Sequence, residues 1–185
     1  MSTIEQILYQ QLQQQLLCHQ GNGLWVMDEN LGRFAPSSPN AELSLLSNRY
    51  DIYQEMSAKG WGIQFTDFDF SPWPKASIDR IYYRVSKEKP VVHHVINQSF
   101  RRLKAGGQLV LFGAKNEGTK TYFDKAKTLF GDGQLSKAGK GAFVAVLTSD
   151  GTGNNELLDD KDYQQRRVIA KIDDQTVISK PGVFG

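Results

Sequence analysis

Residues 77 to 131 spell out a complete strand, helix, strand, helix unit, and no other stretch restricts the fold so tightly. Ser77-Ile-Asp-Arg-Ile-Tyr-Tyr-Arg-Val85 is a β-branched and aromatic run, the signature of a strand. Pro90 then opens a segment in which Val92, Val95, Ile96, Phe100 and Leu103 recur at helical spacing and define one buried face. Lys104-Ala-Gly-Gly107 stops that helix, and Gln108 to Gly113 reads as a strand buried on both faces. A second helix is predicted near Thr119 to Phe130. A crossover of this length joins parallel strands in the right-handed sense, so the unit predicts an α/β fold: a mostly parallel central sheet with helices on both faces.

The flanking segments fit the same architecture. Ile4, Ile7, Leu8, Leu12 and Leu16 lie on roughly one face of an amphipathic helix over Thr3 to Leu17, ended by Gly21-Asn-Gly23. Leu24 to Met27 is a short apolar strand, Leu43 to Leu46 a second, Asn48 to Lys59 a helix and Ile63 to Thr66 a third strand. Gln134 to Ala138 and Ala142 to Thr148 flank Gly139-Lys-Gly141 as a closing hairpin, and Arg167 to Ile172 with Thr176 to Ser179 form a C-terminal one. Composition divides the chain into a domain over 1–148, a linker over 149–156 and a hairpin segment over 157–185.

With 39% hydrophobic residues in 185, the chain can bury a substantial core. The single cysteine, Cys18, excludes an internal disulfide; it reads as a buried structural thiol. No apolar run approaches membrane-spanning length and Met1 to Leu17 lacks the features of a signal peptide, so a cytoplasmic protein is expected. Net charge is only +2 but is unevenly placed. From Lys75 to Lys140, 14 Lys and Arg stand against 5 Asp and Glu, while the remainder carries 8 against 15. A basic middle segment suits a phosphate backbone; it equally suits solvated helix faces.

Searches for chemistry are mostly negative. The sequence contains no HExxH, CxxC, Gly-x-Ser-x-Gly or Gly-rich phosphate loop. His93 and His94 are adjacent on a helix, point about 100° apart and cannot share a metal; they are expected at the surface. Phe68, Phe70 and Trp73, the last flanked by Pro72 and Pro74, form an aromatic loop; packing onto the sheet edge is the commoner arrangement for such a loop, stacking on bases or docking a partner the others. Ligands in such folds bind beyond the carboxyl ends of strands. After the first strand that position holds Asp28, Glu29, Asn30 and a single glycine, Gly32, too few for close backbone approach to a nucleoside or phosphate.

These residues resemble a family. Lys104-Ala-Gly-Gly-Gln-Leu-Val-Leu-Phe-Gly-Ala-Lys-Asn-Glu-Gly118, the helix ending at Gly131, and Gly141 to Ser149 resemble the second half of a Rossmann-like class I S-adenosylmethionine-dependent methyltransferase. Arg80 to Pro90 and Ile178 to Gly185 are similar to ribosomal RNA guanine-N2 methyltransferases built of two tandem methyltransferase-like domains. The resemblance covers most of Leu24 to Gly185, with Pro181 to Phe184 like the start of the catalytic second domain. It implies that this piece is the degenerate N-terminal domain, without cofactor, and that the parent enzyme uses S-adenosylmethionine.

In the family pattern, Arg84 to Lys87 stands where an Asn-Pro-Pro-aromatic element would hold the guanine amine, and a cationic side chain cannot accept that hydrogen bond. The resemblance therefore implies a catalytically silent domain that holds ribosomal RNA and supports the catalytic domain of the same chain. Arg84 and Lys87 follow from that pattern as phosphate contacts. Lys89, Lys115, Lys120, Lys137 and Lys140 join them on charge and predicted position. An active small-molecule methyltransferase and a pure protein-interaction domain are the alternatives.

Overall fold

The computed structural model describes residues 3–27, 35–152, 155–172 and 175–179. Asp28, Glu29, Asn30 and Gly32, the expected degenerate cofactor position, lie outside these residues. The element order is α1 (Thr3–Leu17), β1 (Gly23–Val26), β2 (Leu43–Ser47), α2 (Tyr50–Ala58), β3 (Ile63–Phe65), β4 (Ile78–Arg84), α3 (Lys89–Arg102), β5 (Leu103–Ala114), α4 (Thr119–Phe130), β6 (Gly131–Gly139), β7 (Ala142–Ser149), β8 (Arg167–Ile172) and β9 (Gln175–Ser179). A short 3-10 turn, Lys115–Glu117, links β5 to α4.

Among the described residues seven strands form one sheet in the order β3-β2-β1-β4-β5-β7-β6. The first five are mutually parallel, and β7 runs antiparallel to both β5 and β6. β6 therefore points the same way as β5, so the carboxyl ends of β1 to β6 all face one edge. The separate pair β8 and β9 is the expected C-terminal hairpin.

Alternation along the strands divides the core in two. In β1, Leu24 and Val26 join one cluster while Trp25 and Met27 join the other; in β5, Leu109 and Leu111 oppose Val110 and Phe112. Both faces are covered, which is why β5 reads as a continuous apolar run. Val92, Val95, Ile96 and Phe100 of α3, with Phe123, Ala126 and Phe130 of α4, cover the first face. Leu8, Leu12 and Leu16 of α1, with Ile52 and Met56 of α2, cover the second. At the β6–β7 turn Gly139, Lys140 and Gly141 all take positive φ, of 124°, 36° and 86°, a backbone that glycine adopts at least cost and that sets Lys140 at the tip.

The aromatic loop packs inward, the commoner of the arrangements its sequence allows: Phe68, Phe70 and Trp73 are buried in the α3 face of the core. Two other sequence expectations are corrected. Cys18 is exposed, since α1 ends at Leu17 and its apolar stripe has run out one residue earlier. His93 and His94 are buried, at 2% and 1% relative exposure. Their cover comes from residues 155–164, which pack back across α3 instead of leading directly away.

Candidate functional site

The strap over α3 is held by polar side chains that helical periodicity marks as solvent-facing. Asn97 donates through Nδ2 to the Leu158 carbonyl and accepts from the Leu158 N–H, both at 2.8 Å. That reciprocal pair imitates one rung of a β-ladder. His93 Nδ1 donates to the Asp159 carbonyl at 2.6 Å, while His94 bonds the Phe68 carbonyl at 2.9 Å and the Asp160 carboxylate at 3.1 Å. Tyr163, buried against the His94 ring, donates to Asp67 Oδ1 at 2.6 Å. Burial and that bond raise its phenol well above the ordinary range. Leu157 and Leu158 pack on the core and Asn155 reaches the Leu129 carbonyl.

Burial lowers the His93 pKa below its ordinary 6.5, in spite of the bond to Asp159. The folded state thus prefers neutral imidazole and the unfolded state binds the extra proton. The contribution is complete above about pH 6.5 and is lost as pH falls from there through the depressed folded value. The melting temperature is expected to drop between pH 7 and pH 5, and less steeply in His93→Asn. Equal slopes for the two proteins would show that His93 does not govern the strap.

At the carboxyl edge, topology gathers the lysines singled out by the sequence. Lys87 and Lys89 follow β4, Lys115 follows β5 and Lys120 lies in the first turn of α4. Lys137 lies two residues before the end of β6 and Lys140 tips its hairpin. All six are exposed. Lys120 Nζ sits 5.4 Å from the centre of the Phe143 ring. Ile4, Lys115, Asn116 and Gly141 line a cleft of about 390 Å³ in the middle of this row.

Arg84 is placed differently from the lysines. It is 5% exposed, and its two terminal nitrogens meet both oxygens of Glu117 at 2.7 Å. One of them also donates to the Val85 carbonyl at 2.6 Å. Glu117 Oε2 accepts the Ala114 N–H at 2.7 Å as well, so the pair ties the carboxyl ends of β4 and β5 to the 3-10 turn. Burial alone would raise the Glu117 carboxyl, but the bonds from Arg84 and Ala114 outweigh it and hold the group below its ordinary value. Glu117 was not singled out by the sequence; its spacing of three from Ala114, at a strand-to-helix corner, is the signal available.

Beyond β2 the chain continues Ser47-Asn48-Arg49, and Arg49 grips both oxygens of Asp51 at 3.0 and 2.9 Å. Among the described residues no group of His, Cys, Asp and Glu is arranged to hold a metal ion, and no helix is long and apolar enough to cross a membrane.

No protein-family model and no curated protein matches this sequence. Solved structures do. The 16S rRNA N2 guanine methyltransferase of T. thermophilus, solved with AdoMet and guanosine, superposes with a TM-score of 0.71 at 20% identity, over 96% of this chain and 47% of that one. A SAM-dependent methyltransferase of Thermotoga maritima gives 0.56 at 15% identity, over 80% of this chain and 91% of that one. The N-methyltransferase NodS of Bradyrhizobium japonicum gives 0.53 at 18%, over 79% and 96%. The chain has the class I methyltransferase fold. It spans about half the length of the T. thermophilus enzyme and matches nearly the full length of the other two structures.

Proposed function

We propose that this chain is the degenerate, non-catalytic N-terminal half of a tandem-domain ribosomal RNA guanine-N2 methyltransferase. In this reading it holds RNA along its carboxyl edge and supports the catalytic half, and the parent enzyme works in the cytoplasm with S-adenosylmethionine. The observation that carries the reading is the buried Arg84–Glu117 pair. Methyl transfer to an exocyclic amine at the end of β4 calls for an acceptor that orients the amine, and a guanidinium has only donors. Here that donor is, moreover, already committed to Glu117.

The surroundings of the end of β2 support the same reading. Dinucleotide sites in related sheets use a carboxylate to accept from the ribose hydroxyls. The carboxylate that follows β2 here, Asp51, is held by Arg49 through both oxygens. Coverage of half the T. thermophilus enzyme agrees with a piece that leaves room for a second domain.

Calorimetric titration with S-adenosylmethionine, followed by a ribosomal RNA fragment at two salt concentrations, tests the proposal. Silence toward the cofactor with salt-sensitive RNA binding is the expected result. Saturable cofactor binding would restore an enzyme.

A further inference from the structure

The exposed aromatic residues of this fold are not the ones its sequence advertises. Phe68, Phe70 and Trp73 are interior, whereas Tyr50 at the start of α2 and Phe65 at the end of β3 are 56% and 46% exposed. Together with Tyr53 they form one cluster. Tyr50 and Tyr53 stack with ring centres 6.1 Å apart, and Phe65 lies 5.5 Å from Tyr50 and 5.8 Å from Tyr53. Isolated exposed apolar residues are ordinary on a protein surface, but three rings in mutual contact are a patch. Each ring would be more stable buried, and no described strand pairs with the outer side of β3 to cover them.

The position of the patch argues for its occupant. Both Phe65 and Tyr50 stand at carboxyl ends, of β3 and just beyond β2, so the patch shares an edge with the six lysines that follow β4, β5 and β6. With neighbouring strands about 4.8 Å apart, three steps separate β3 from β4 and six separate it from β6, or roughly 14 and 29 Å. A row of cations with aromatic rings at one end is the arrangement that binds single-stranded nucleic acid: lysines follow the phosphates and rings stack on unpaired bases. A protein partner would find the aromatic patch but would have to be acidic along the same edge.

We infer that Tyr50, Tyr53 and Phe65 form a base-stacking platform for an unpaired RNA segment whose backbone continues along the lysine row. This rests on the RNA-holding role proposed above and adds that the RNA is single-stranded at the β2–β3 end. Stacking involves no phosphate neutralisation, so the platform contributes affinity without contributing to the salt dependence.

The test uses the whole 185-residue chain, a short single-stranded oligoribonucleotide carrying 2-aminopurine, and a duplex of the same sequence. Stacking quenches 2-aminopurine fluorescence, so the unaltered chain is expected to quench the single strand and not the duplex. Tyr50→Leu with Phe65→Leu keeps the patch apolar but removes its two most exposed rings, leaving Tyr53 without its ring partners. It is expected to reduce quenching strongly and to weaken single-strand binding by roughly 5- to 100-fold per stacked base lost, with the salt slope unchanged. RNA binding that is salt-sensitive but indifferent to the double substitution, or quenching absent in the unaltered chain, would overturn the platform while leaving the lysine row standing. Absence of any RNA binding would remove both. Should the double variant fold poorly, quenching by the unaltered chain decides alone. Loss of acidic-peptide binding with no change for RNA would assign the patch to a protein instead.

Discussion

Arg84→Met is expected to destabilise the domain by roughly 3–5 kcal/mol, because it strands the Glu117 carboxylate in a site that is largely closed to water. The same loss is not expected when both charges go. In Arg84→Met with Glu117→Gln the amide oxygen still accepts from the Ala114 N–H, no buried charge remains, and most of the stability returns. Urea denaturation of the wild type, each single variant and the double forms a closed cycle; additive losses would show that the two side chains do not act as a pair.

Acid sensitivity follows from the same geometry. Glu117 has its carboxyl lowered from the ordinary 4.5, so its contribution is complete above about pH 4.5 and is lost as pH falls below that through the folded value. The double variant is expected to lack that part of the acid transition. Removing a donor that is already paired creates no site for an amine, so neither variant is expected to gain methyl transfer.

The second large effect concerns the edge. Lys87, Lys115 and Lys140 extend from three different strand ends and are exposed, so their joint replacement by Ala leaves the core untouched. If all three meet phosphates, the slope of log affinity against log salt is expected to fall by about 2 for a single strand. Affinity is expected to drop on the order of a hundredfold at 50 mM salt, with the difference shrinking as salt rises. Filter binding or anisotropy across a salt series measures both. An unchanged slope would mean that these lysines only solvate the fold. Arg84 is left out of the variant on purpose, since its loss would be read as a stability effect.

Local pattern was sufficient for the architecture. The β-branched run before Arg84, Pro90 at the start of α3, the apolar stretch of β5 and the turn Gly139-Lys140-Gly141 each carry a short-range signal, and every one is an element or turn of the structure. The parallel sheet followed from crossover length, a property of the chain that needs no contact information. What remained hidden depended on residues about 30 to 100 positions apart. His93 and His94 look exposed on a helical wheel, and nothing near them in sequence reveals that residues 159 and 160 return to cover them.

The candidate site divides in the same way. Which side chains are cationic, and that they follow strands, was legible directly from the sequence; that β6 runs parallel to β5 and brings Lys137 and Lys140 to the edge shared with Lys87 required the sheet order. Arg84 shows the limit most clearly. Its charge and its place at a strand end belong to the sequence, but whether such a group meets solvent or is buried depends on what the neighbouring strand end presents. Here that is Glu117, 33 residues away, and the cost of burying one charge without the other decides where both reside.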